Sequence, residues 1–261
     1  MKLIAAPLLL PVAAPPIRDG AALVGDDGLI LAVGPLRELT RTAPEASTTF
    51  HEDSVILPAL INCHTHLELS SLPPIACDSL FVEWILEVVR RKRSAAPEDF
   101  SRGIKNGALE CLRLGQGVLA DVTSVEGAER HYPEEGPLVA HFRELIAPSP
   151  EGVEMALERP KDGALPKSAY YGGLFAHAPY TVCLEGYEKA LGEALQKGGR
   201  LYTHLAESLD EVEFALTGGG PIAEELYGNI PVNPPAATGL HPVDWLARNN
   251  ILGENTVAVH A

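Results

Sequence analysis

The sequence predicts an α/β fold: an incomplete TIM-type (β/α) barrel of about six of the eight βα units such a barrel has, preceded by a small N-terminal β domain. Three observations carry this. From Val55 onward, short apolar runs alternate with longer amphipathic stretches, the pattern of a parallel sheet with crossover helices. Nearly every run ends on a polar or ionisable side chain, as strands that feed a barrel active site do. Ahead of them stands a hairpin signal. The expected division is residues 1–54 for the β domain and 55–261 for the barrel.

The hairpin lies in "IRDGAALVGDDGLILAVGP", residues 17–35, where Asp27-Gly28 joins two short strands because Gly accepts the positive φ of a tight turn. Upstream, "MKLIAAPLLLPVAAPP" resembles a secretory leader in having one Lys before an apolar run. Prolines at 7, 11, 15 and 16 interrupt that run, and the leader reading is set aside. The barrel strands are expected at Val55 to Cys63, Gly117 to Val122, Leu138 to Ile146, Tyr171 to Ala176, Arg200 to His204 and Thr256 to His260. Between them "LFVEWILEVVRRKR" and "EDFSRGIKNGALECLRLG" read as helices, the second closed by Gly115. Gly218 to Pro242 reads as a long loop with a short helix at Ile222 to Tyr227.

Composition narrows the function. A chain of 261 residues that is 46% hydrophobic and 21% charged can bury a large core. A formal charge of -15 with no long basic stripe repels phosphate backbones and anionic lipid, so neither nucleic acid nor a membrane is expected as partner. No other stretch is long enough to span a bilayer. Cys63, Cys77, Cys111 and Cys183 form no C-x-x-C pair and read as free thiols of a reducing cytoplasm. A small-molecule substrate fits this profile; oligomeric state, homo-oligomer included, is left open.

His64 and His66 stand at i and i+2, so on an extended strand both imidazoles face one side and can reach a single ion. Alone, the pair more readily fits an ordinary strand end. "YTHLAES" adds a third strand-terminal histidine, His204, with Glu207 three residues on, where a carboxylate can take a proton from water and pass it to a leaving group. His260 ends the last run. The H-E-x-x-H pattern is absent, as is H-x-E with P-C-x-x-C.

Together "PALINCHTHLEL", "HAPYTV", "THLAES" and "TVAVHA" resemble the amidohydrolase superfamily, in its branch of metal-dependent deaminases and chlorohydrolases that includes the S-adenosylhomocysteine, methylthioadenosine and aminofutalosine deaminases. The resemblance implies His64, His66 and His204 as metal ligands, Glu207 as proton shuttle and His260 as the residue that orients and polarises the attacked centre. It implies one divalent metal ion, zinc before iron. His177 and Trp84 match pocket-lining positions, against the plainer reading of Trp84 as core packing on an amphipathic helix. The implied reaction is hydrolytic deamination of a 6-aminopurine nucleoside such as aminofutalosine. Guanine deamination, chlorohydrolysis, imine hydrolysis and a non-catalytic remnant are the alternatives.

Two departures from the family pattern follow. Relatives that bind adenine nucleosides carry an acidic residue about one helix beyond the tryptophan, for the ribose hydroxyls. Here "RRKR", Arg90 to Arg93, occupies that place, either as a solvated helix end or as a partner for a substrate carboxylate. The family also completes its metal site with an aspartate after an eighth strand. The sequence ends at Ala261, so a barrel truncated after strand six is expected, and a chain inactive or weakly active by itself.

Overall fold

The computed structural model describes residues 1–75, 80–158 and 165–261; Cys77 lies outside the described residues. The chain divides into two compact units, Met1–Leu60 and Ile61–Ala261.

In the first unit, β1 (Lys2–Leu9), β2 (Ile17–Val24), β3 (Ile30–Pro35) and β4 (Ser47–Phe50) form a sheet in the order β3-β2-β1-β4, and β5 (Val55–Ile56) also pairs with β1. The hairpin forms as expected: Gly28 adopts φ +83° and donates to the Gly25 carbonyl at 3.0 Å. The leader-like N-terminus is the central strand. Leu3 and Ala5, both fully buried, pack with Ala21 and Leu23 under Leu39 and Ala43 of helix α1 (Leu36–Thr42) and its cap. Pro7, which has no N–H to give a ladder, falls where β1 changes partner from β4 (through Ala5) to β5 (from Leu8), and the register to β2 also skips it.

The second unit carries six parallel strands in sequential order: β6 (Leu60–Thr65), β7 (Gln116–Thr123), β8 (Leu138–Leu145), β9 (Ala169–Ala176), β10 (Leu201–Leu205) and β11 (Thr256–His260). All six expected runs are strands, except that the first divides into β5 and β6. Helices α2 (Phe81–Ser94), α3 (Pro97–Arg113), α4 (Pro150–Leu157), α5 (Leu184–Gln196), α6 (Leu209–Thr217) and α7 (Pro242–Arg248) are their crossovers. The loop after α6 contains one π-type turn, Ile222–Leu226, where a short helix was expected.

The two-residue period of the strands separates the layers. Ala120, Val122, Ala140, Phe142 and Phe175 fill the concave side, whereas Leu119 and Val139 pack outward on Ile104 and Ala108 of α3. The sheet curls: His64 on edge strand β6 and His260 on the opposite edge β11 have ring centroids 5.9 Å apart. The six strands are thus an incomplete (β/α) barrel with their C-terminal ends drawn together.

Glycine decides one packing contact near those ends. A Cβ on Gly103 of α3 would stand 3.0 Å from the carbonyl oxygens of Leu67 and Glu68, so only glycine lets the helix lie against the turn that follows His66. Gly115 closes α3 at φ +86°, as its position implied.

Candidate metal centre and pocket

The strand ends deliver their histidines to one place. His64 Nε2 and His204 Nε2 are 3.1 Å apart. A ligand nitrogen of His64, of His204 and of His260 can be chosen so that all three lie within 4.8 Å of one another. His66 stands beside them, its ring centroid 4.9 Å from that of His64 and 5.6 Å from that of His204. A ring bond to the backbone of Val122 on β7 orients it.

Burial makes these rings neutral. It holds His64 near 4, with His260 adding to the effect, and His66 near 3, with His64 adding. His204 is lowered furthest, by burial and then by His177. His260, at the rim, is lowered only by burial. Two neutral imidazoles this close share either a proton, one ring donating to the other, or a cation, according to their tautomers. Nitrogens bound at about 2.1 Å to one tetrahedral ion are about 3.4 Å apart, so the 3.1 Å spacing suits a shared cation. The donor set therefore fits a divalent metal, with His64 and His204 at its centre and His66 and His260 flanking.

Glu207 stands against this cluster, its Oε2 3.5 Å from His260 Nε2 and its Oε1 accepting from the Tyr180 hydroxyl at 3.3 Å. Burial, then the Glu211 carboxylate, raises Glu207 to about 7. Glu211 is fully buried and accepts the backbone N–H groups of Ala206 and Glu207 at 3.0 and 2.9 Å. Ala206 holds φ +52°, so this clamp fixes a strained turn between His204 and Glu207. Ser208 caps α6 by accepting from Glu211 N–H, a capping box whose acidic member reaches back past the cap. The spacing Ser208-x-x-Glu211 was the available sequence signal for this residue.

The cluster lines a cavity of about 630 Å³. Its walls are mostly apolar, with Trp84, Val88, Leu226 and Val232 among them, and Trp84 is 42% exposed. His177 lines it too, with Nδ1 2.7 Å from Thr181 Oγ1. The basic cluster divides. Arg90 and Arg91 pair with Glu87 at 2.6 Å, whereas Lys92 and Arg93 face the cavity. Lys92 is anchored by Glu68 at 2.6 Å and by Ser124; Glu68, wholly buried, also accepts from the backbone of Ser124 and Val125. Glu144 enters the cavity from β8. Neither Glu68, Glu144 nor Glu211 was a predicted site residue.

No protein-family model matches the chain. In sequence it is 27% identical over 242 residues to the 5-methylthioadenosine/S-adenosylhomocysteine deaminase of Pelotomaculum thermopropionicum, covering 88% of this chain and 52% of that protein. In structure it superposes on Helicobacter pylori aminofutalosine deaminase in complex with methylthio-coformycin with a TM-score of 0.80 at 23% identity, covering 100% of this chain and 64% of that one. It also superposes on an adenosine deaminase from Xanthomonas campestris with bound zinc, with a TM-score of 0.70 at 21% identity over 99% of this chain and 57% of that one. The fold is the (β/α) barrel of these structures, and the resemblance to metal-dependent deaminases read from the four motifs agrees with the relatives found. The chain spans about half the length of the curated relatives it matches.

Proposed function

We propose that this protein is, or is part of, a zinc-dependent hydrolytic deaminase that removes the exocyclic amine of a 6-aminopurine nucleoside, aminofutalosine or a close relative. The observation that carries the reading is the convergence of His64, His204, His260 and Glu207 in the wall of one mostly apolar cavity. His64, His66 and His204 would hold the ion, zinc in preference to iron, and His260 would orient the attacked ring carbon. A divalent ion there supplies Lewis acidity that makes water nucleophilic near neutral pH. Glu207, beside the histidine cluster, would take a proton from water and deliver it to the departing amine. Trp84 and His177 line the space left for the nucleoside.

Among the described residues no helix is long and apolar enough to cross a membrane, and Cys63, Cys111 and Cys183 are free thiols. The free thiols support the cytoplasm as its location.

The test is ammonia release by the zinc-loaded protein from adenine nucleosides with large 5′ substituents, run beside guanine and a chlorinated triazine. Selective deamination of the nucleosides is expected. Chloride release, or turnover of guanine alone, would replace this reading with another amidohydrolase reaction.

A further inference from the structure

Tyr180 is 1% exposed and stands in an apolar cluster with Val82, Phe214, Ile222 and Leu226. A phenylalanine would bury the same ring there, so packing does not account for the hydroxyl. Among the described residues that hydroxyl bonds to one group, Oε1 of Glu207, at 3.3 Å. A phenol sealed from water needs such a partner, and the hydrogen bonds of catalytic groups are often this long before substrate tightens them.

Tyr180 is itself held. Its carbonyl accepts from the Tyr227 hydroxyl at 2.7 Å, and its ring meets those of Phe81 and His177 edge-on, with centroids 6.2 and 5.6 Å away. The donor is therefore fixed, and the carboxylate settles against it.

The bond makes the two oxygens of Glu207 unequal. In a protonated carboxyl group one oxygen carries the proton and the other only accepts. Oε1 is committed to accepting from Tyr180, so the proton goes to Oε2, which lies 3.5 Å from His260 Nε2, on the side of the histidine cluster. A carboxylate without that donor would load either oxygen and turn the loaded one away as readily as toward the cluster.

We propose that Tyr180 is a positioning residue: by donating to Oε1 it turns Oε2 toward the histidines and makes that oxygen the one that takes the proton from water and gives it to the departing amine. The inference rests on the deaminase reading above.

The experiment compares the zinc-loaded wild type with Tyr180→Phe, which keeps the ring and removes the donor. For the adenine nucleoside that the wild type turns over fastest, kcat and KM are measured in light and in heavy water, beside zinc stoichiometry, thermal unfolding and crystal structures of both proteins. Turnover should fall about tenfold with KM within about twofold, the loss of one hydrogen bond to a charged group felt in the transition state. The solvent isotope effect on kcat should rise, because proton transfer has slowed relative to the other steps. Zinc stoichiometry should stay at the wild-type value, and the Glu207 carboxylate should hold one orientation in the wild type and more than one in the variant. An unchanged kcat, or a fall in kcat with the isotope effect unchanged or with zinc or folding lost, overturns the positioning role while leaving the deaminase intact. Absence of ammonia release from every nucleoside by the wild type overturns both.

Discussion

Glu211 holds Glu207 by its backbone: the buried carboxylate accepts the Glu207 N–H at 2.9 Å and the Ala206 N–H at 3.0 Å. The side chain proposed to move the proton therefore projects from a turn with no freedom to swing. Glu211→Ala leaves two N–H groups unpaired at a positive-φ turn and should cost about 2–4 kcal/mol of stability. Displacing Glu207 by as little as about 1 Å should lower kcat about a hundredfold with little change in KM. Glu211→Gln, which retains one good acceptor, should recover most of that loss. Equal kcat in Glu211→Ala and wild type would refute the clamp.

Metal should stabilise the fold through the histidine cluster. Zinc at about 100 times its Kd adds about 2.7 kcal/mol, or several degrees in Tm at this size. His204→Ala, which removes the ring nearest His64 Nε2, should abolish both the shift and stoichiometric zinc uptake measured by elemental analysis. A full shift in that variant would place the ion elsewhere.

Close packing at Gly103 should couple α3 to the metal centre. Gly103→Val forces the turn after His66 off the helix, and should cost about 2–3 kcal/mol by overpacking and weaken zinc binding. Gly192, in α5 with open space around it, is the control: Gly192→Ala should stabilise by about 0.5–1 kcal/mol and leave zinc binding alone. Denaturant midpoints together with zinc titrations decide between the two.

Asp121 should mark the pH dependence of stability. It accepts from Leu67 N–H at 2.8 Å and from the Tyr132 hydroxyl at 2.6 Å, but burial raises it to about 7. Between about pH 4 and that value the unfolded chain has released the proton and the folded chain retains it, so this group's contribution to stability falls as pH rises. Asp121→Asn keeps an acceptor for Leu67 and removes the titration. Its stability relative to wild type should therefore climb from pH 4 to 7, by up to about 1.4 kcal/mol per unit. A relative stability that is flat or falls over that window would show Asp121 to be ionised in the fold.

The sequence by itself determined the barrel strands and much of the candidate site. Strand periodicity and strand-terminal placement are local properties, and His64, His66, His204 and His260 carry them in their immediate neighbours. Glu207 was legible for the same reason, three residues from His204. The leader-like N-terminus was assigned to no strand in the sequence; only the topology shows that it is central and that Pro7 sits where the neighbouring strand changes. Tertiary structure alone decided which of Arg90 to Arg93 enters the cavity, since Lys92 is turned inward by Glu68, 24 residues away. It alone placed Glu144 of β8 4.0 Å from His177, which follows β9. Both outcomes depend on the curl of the sheet, which sets distances between residues remote in the chain and leaves no trace in the pattern of any one segment.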